Sequence, residues 1–110
     1  MQADTPRALR RFVALPAQLH AQDPHFVPPL LRDERRRFER RHNPFLEHAE
    51  ITPWLAVDGT RVVGRIAAID DRLHNQVHGE AVTWFGFLEA ANAAVAHELL
   101  LTVEGHARRR

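Results

Sequence analysis

Two apolar segments flank Asp58-Gly59 between Ile51 and Asp70, and this pattern limits the fold more than any other feature of the chain. An Asp-Gly pair favours a tight hairpin turn, because glycine tolerates the positive φ that such a turn demands. Ile51 to Val57 reads as one strand, with Pro53 marking an edge or an irregular start. Arg61 to Asp70 reads as its partner. There Val62, Val63, Ile66, Ala67 and Ile69 form a nearly continuous apolar run, the signature of a strand covered on both faces. Such a hairpin needs helices above and below it.

The flanking sequence offers them. Thr5-Pro6 is a helix start, with Thr5 as N-cap and Pro6 at the first helical position. Leu9, Phe12, Val13 and Leu19 follow at helical spacing, and Pro16 is expected to kink this helix or divide it in two. Asp23-Pro24 and Pro28-Pro29 punctuate a loop. A second helix is expected from about Pro29 to Arg41, with Leu30, Leu31, Phe38 and the arginine stems lining its inner face, until Asn43-Pro44 ends it. Asp71 to Glu80 reads as a polar loop or short bend, Ala81 to Glu89 as a third strand, and Asn92 to about Arg109 as a helix with Val95, Leu99, Leu100 and Val103 inward. The expectation is an α+β domain over residues 1–110, order α-α-β-β-β-α, with an antiparallel sheet of three to four strands and flanking helices. Because the chain stops at Arg108-Arg109-Arg110 directly after a helix, the domain is expected to be incomplete, with an open sheet edge available for pairing or homo-oligomerisation.

Composition removes several classes of function. The 110 residues contain no cysteine, which excludes disulfides, thiolate metal sites and a cysteine nucleophile. No apolar run reaches bilayer-spanning length and no secretory leader is visible, so a cytoplasmic location without a membrane partner is expected. A net charge of +1 does not suggest a generic nucleic-acid binder. Arginines dominate the run from Arg32 to Arg41, but acids are interleaved with them. The run reads as a solvated helix face, or as a surface that meets phosphates or an anionic acceptor.

The candidate chemistry lies where the aromatic strand Trp84-Phe85-Gly86-Phe87-Leu88-Glu89 runs into Ala90-Ala91-Asn92-Ala93-Ala94. The first amides of a helix have no partner within it and attract anions. Strict alternation places Phe85 and Phe87 on one strand face and Trp84 on the other. Asn92 reads as an N-cap that could also meet a phosphate. Glu89 is the candidate catalytic residue, as a general base for an amine or a water; its bland alternative is a carboxylate near a helix start. His74 and His78 are four residues apart, and a zinc site would need Asp70, Asp71 or Glu80 as a further ligand. The polar, Gly79-containing context favours a loop, and no metal is assigned. His48, between Glu47 and Glu50, reads as a paired histidine.

Several segments resemble a bacterial group within the GNAT superfamily of N-acyltransferases: Asp23-Pro24-His25-Phe26-Val27-Pro28-Pro29-Leu30, Asn43-Pro44-Phe45-Leu46-Glu47-His48-Ala49-Glu50, Val62-Val63-Gly64-Arg65-Ile66-Ala67-Ala68-Ile69, His74-Asn75, His78-Gly79-Glu80 and Phe85-Gly86-Phe87-Leu88-Glu89. The resemblance is to the N-terminal half of that fold and covers nearly the whole chain. It implies that Phe87 and Leu88 contact the pantetheine arm of acetyl-CoA, and that Asn92, Ala93 and Ala94 cradle its pyrophosphate. It also implies that an unnamed amine attacks the thioester, with Glu89 as base and a backbone amide near Phe87 or Leu88 polarising the carbonyl. The family's Gln/Arg-x-x-Gly-x-Gly/Ala loop corresponds here to residues 90–94, which contain neither glycine nor a basic side chain. The family's frequent tyrosine acid has no counterpart, since the chain has no tyrosine. The implied activity is therefore an acyl-CoA-dependent N-acyltransferase only when completed by further sequence. The alternative is a non-catalytic GNAT-like binding or interaction module.

Overall fold

The computed structural model describes residues 1–27 and 30–110; Pro28 and Pro29, expected in the loop and at the start of the second helix, lie outside the described residues. Helix α1 spans Pro6–Leu19, α2 Leu31–Arg36, a 3-10 turn Pro44–Glu47, β1 Ala49–Asp58, β2 Arg61–Asp71, α3 Arg72–His78, β3 Trp84–Ala90 and α4 Ala93–Arg108. The strands form one antiparallel sheet in the order β1-β2-β3. The α+β class and the order of the main elements are as expected, with α3 and the 3-10 turn added.

The hairpin closes through Gly59 and Thr60, with Asp58 paired to Arg61 and Gly59 at φ 64°. β2 is the central strand, which explains its nearly continuous apolar run. Pro53 sits on β1, at the sheet edge as expected. Residues 1–3 add a short bridge along that edge: the Ala3 amide donates to the Pro53 carbonyl and the Leu55 amide to the Met1 carbonyl, each at 2.8 Å.

Pro16 does not divide α1, which runs unbroken from Pro6 to Leu19 with Pro16 buried inside it. A proline cannot donate to the carbonyl four residues earlier, here that of Phe12. That carbonyl instead accepts from the guanidinium of Arg65 on β2, at 2.9 Å. A neighbouring strand thus supplies the hydrogen bond that the helix lacks. The second helix is shorter than its pattern suggests. It ends at Arg36, where the chain turns so that Phe38 packs inward; Leu30 and Leu31 are exposed rather than inner. Asp71–Glu80 is not a loop but holds α3. The Asp71 carboxylate accepts from the Leu73 and His74 amides at 3.1 Å, and Gly79 ends the helix at φ 62°. In α4, Leu99 and Val103 are buried as expected, but Leu100 is exposed and His106 takes the remaining inward position.

Two apolar clusters sandwich the sheet. One joins α1 to it through Phe12, Val13, Leu15, Leu55 and Ala67. The other joins α4 to it through Trp54, Ile66, Ala68, Leu99 and Val103. Gly64 lets α4 approach closely: a Cβ there would lie 2.6 Å from Val95 Cγ1 and 2.9 Å from Leu99 Cδ1.

Candidate functional site

β3 does not alternate regularly. Ala67 pairs with Gly86 but Arg65 pairs with Glu89, so Phe87 and Leu88 stand opposite the single residue Ile66. This is a β-bulge, and Phe87 takes φ 61°, which is costly for a bulky residue. The extra residue resets the alternation. Phe85 pairs with Ala68 of the α4 cluster, whereas Phe87 packs into the α1 cluster with Phe12 and Phe38. Phe85 and Phe87 therefore face opposite sides, contrary to strict alternation.

Arg65 holds the bulge. It is 6% exposed, its Nε donates to the Phe87 carbonyl at 2.9 Å, and its Nη1 donates to Phe12. The guanidinium lies 4.8 Å from the Phe12 ring centroid and 5.8 Å from that of Phe87. Burial lowers its pKa, while the nearby charges of Glu89 and Glu34 push the other way. A guanidinium remains charged at physiological pH even so. Arg65 thus ties together an orphan helix carbonyl and a strained strand carbonyl. Sequence reasoning passed over it, although two signals were present: a charge within an apolar strand run, and a proline four residues after Phe12.

Glu89 follows the bulge. Its Oε2 lies 3.1 Å from Nε2 of His20 at the end of α1, and both side chains are partly exposed. This carboxylate–imidazole pair was not legible in sequence, since 69 positions separate its members. Two residues before Glu89, Phe87 enters a groove of about 460 Å³ that Asp33, Arg36, Arg37, His42 and Asn43 also line; Glu89 and His20 are not among its lining residues. Phe45, Ile51, Ile69 and Phe87 form its apolar floor.

The other proposed contacts lie elsewhere. Leu88 packs with the α4 cluster. Asn92 caps α4, its side chain accepting from the Val95 amide at 3.0 Å, while Ala93 and Ala94 are exposed in the first turn. The adjacent cavity of about 390 Å³ is lined by Asn92, Ala94, Val95 and the carboxylates Asp58 and Glu98, with no basic side chain among its lining residues. Two carboxylates oppose the helix dipole's attraction for a phosphate.

Four other histidines, His48, His74, His78 and His106, enter paired arrangements. His48 Nδ1 lies 2.8 Å from Asp71 Oδ1, and His74 Nε2 lies 3.0 Å from Glu80 Oε2. His74 and His78 stack with centroids 4.5 Å apart, and among the described residues no cluster of histidine and carboxylate ligands suits a metal. Buried His106 sits 2.8 Å from Asp70 Oδ2, while the Thr83 hydroxyl donates to Asp70 Oδ1 at 2.6 Å. Burial alone would raise the Asp70 pKa, but the bonds from Thr83 and His106 and the charge of Arg110 hold it below the ordinary carboxylate value.

Comparison with known proteins changes the family reading. The chain is 40% identical over 97 residues to the bacterial ceramide synthase of Caulobacter vibrioides, covering 87% of this chain and 25% of that protein. It is 33% identical over 82 residues to protein YghO of Escherichia coli, covering 74% of this chain and 21% of that protein. The chain thus spans a quarter or less of the length of these relatives. No family model matches, and no solved structure matches significantly. The resemblance to the GNAT superfamily is corrected accordingly: the relatives bear other names, and neither a family model nor a solved structure supports it. The expected GNAT acyltransferase function falls with it. Among the described residues, no helix is long and apolar enough to cross a membrane.

Proposed function

We propose that this chain is a segment of a cytoplasmic ceramide-synthase-like protein and contributes to an acyl-transfer site for long-chain lipids. The observation that carries this reading is the 40% identity to a bacterial ceramide synthase across 87% of the chain. A ceramide is the amide of a long-chain amino alcohol and a fatty acid. Forming one requires a base for the amine and an apolar bed for at least one chain. Glu89, paired with His20 at 3.1 Å, is the base of this reading: it takes the proton that the amine loses as its nitrogen bonds to the carbonyl carbon of an acyl thioester, the C–S bond breaks, and the departing thiolate is protonated to the free thiol. The floor of Phe45, Ile51, Ile69 and Phe87 is the apolar bed. Arg65 is a positioning residue, because it fixes the Phe87 carbonyl at the bulge that aims Glu89.

The test is expression of the gene carrying this chain in a bacterium that makes no sphingolipids, fed a long-chain base, with mass spectrometry of the extracted lipids. An N-acylated base is expected. Its absence would sink the reading. Glu89→Gln should lower product formation by about a hundredfold, as for loss of a general base, and an unchanged yield would remove Glu89 from the chemistry.

A further inference from the structure

The arginine run reads from sequence as a solvated helix face or as a surface that meets phosphates or an anionic acceptor, and the structure leaves much of its charge unpaired among the described residues. From Leu30 to Arg41 there are six arginines against three carboxylates, a local net charge of +3 in a chain whose total is +1. The carboxylates neutralise only part of it. Arg37 pairs with Glu34 at 3.5 Å and Arg41 with Glu39 at 3.2 Å, whereas Arg32, Arg35, Arg36 and Arg40 have no carboxylate partner among the described residues. Next to these cations along the chain are strongly exposed aliphatic side chains: Val27 at 84%, Leu30 at 67% and Leu31 at 49%. A six-residue helix is only about 9 Å long, so α2 presents Leu31 and its arginines within a single small footprint.

From this combination we infer that the surface around α2 docks on an anionic phospholipid bilayer. Guanidinium groups meet the lipid phosphates while Val27, Leu30 and Leu31 enter the boundary between headgroups and acyl chains. Each component alone has another explanation, but the two together fit few partners. Nucleic acid would use the charge and leave the aliphatic side chains in water. It would also favour exposed aromatic rings, whereas Phe38, the ring in this segment, is turned against Phe12 with centroids 5.3 Å apart. A bilayer interface takes both components. The surface also continues into the groove, since Arg36 and Arg37 stand on its rim above Phe45, Ile51, Ile69 and Phe87. A lipid chain leaving the membrane at this point would pass from one apolar medium to another. The inference goes beyond the proposed acyl transfer and stands without it, because docking needs no chemistry. It also departs from the sequence-based expectation of no membrane partner, which rested on the lack of a bilayer-spanning apolar run and of a secretory leader rather than on local surface arrangement.

The experiment is co-sedimentation of the protein with vesicles of pure phosphatidylcholine and with vesicles that also contain phosphatidylglycerol, at low and high salt. Binding is expected only to the anionic vesicles and is expected to weaken steeply with salt. Arg32→Ala with Arg36→Ala should weaken partitioning about 25-fold, at about fivefold per arginine. Leu30→Ser with Leu31→Ser should weaken it as well, while duplex DNA competes poorly. These positions are exposed, so thermal melts of the variants should match the parent. Absence of vesicle binding would overturn the inference. So would equal binding to neutral vesicles, or a leucine variant that binds vesicles as well as the parent does.

Discussion

The two faces of the sheet solve the same packing problem with different residues. On the α4 face, Gly64 lets the helix approach, aliphatic side chains fill the gap, and the buried polar group Asp70 is enclosed by Thr83 and His106. On the α1 face, a proline leaves a carbonyl without its helical donor, a phenylalanine sits at positive φ, and one buried arginine connects the two. The first face relies on ordinary side-chain packing. The second stores strain beside a groove and a carboxylate–histidine pair. Strain of this kind persists only where the surroundings impose it, and it commonly marks a working site. The contrast is between a face held by side-chain packing and a face that carries backbone strain.

Removing Arg65 should break that contrast most severely. Arg65→Met leaves the Phe12 and Phe87 carbonyls without donors in a buried setting, at a cost of about 4 kcal/mol from two unsatisfied acceptors. Urea denaturation measures it, and a loss below about 1 kcal/mol would show that water replaces the guanidinium. Gly64→Ala should cost about 2 kcal/mol by overpacking. The added methyl would meet Val95, Leu99 and, at 3.1 Å, the carbonyl oxygen of Glu89, which cannot move without shifting β3. Val95→Ala in the same chain should recover part of the loss, and strict additivity would show that Val95 is not the obstacle.

The Asp70 network sharpens the comparison through pH. Its folded pKa lies below the ordinary value, so its stabilising contribution is complete above the unfolded pKa of about 3.9. That contribution is lost as pH falls through the lower folded value. Asp70→Asn should cost about 1.5 kcal/mol at neutral pH through weakened bonds to His106 and Thr83. It should also flatten the acid limb of stability against pH, and an unchanged acid limb would place the titration elsewhere. The smallest effect isolates backbone strain. Phe87→Gly should be about 1 kcal/mol more stable than Phe87→Ala, because both remove the ring but only glycine relaxes at φ 61°. Equal stabilities would mean that the bulge straightens once the ring is gone.

What was legible in the sequence followed local rules. Thr5 and Asn92 cap the helices assigned to them, with side chains accepting from Ala8 and Val95. Asp58-Gly59 marked the hairpin, and the run from Val62 to Ile69 marked the central strand. Glu89 stood out by position, but its partner His20 did not. Helix α3 was missed because its seven residues carry a weak apolar pattern, and only the Asp71 cap and Gly79 betray it.

The sequence by itself determined the three strands and the two long helices, because caps, turns and apolar periods act over a few residues. Tertiary structure alone decided where the proline-broken hydrogen bond is mended, how the bulge redirects Phe87, and which charges remain unpaired along α2. Each of these depends on groups distant in the chain, or on how a segment turns once it meets the sheet, and no local pattern encodes such a meeting.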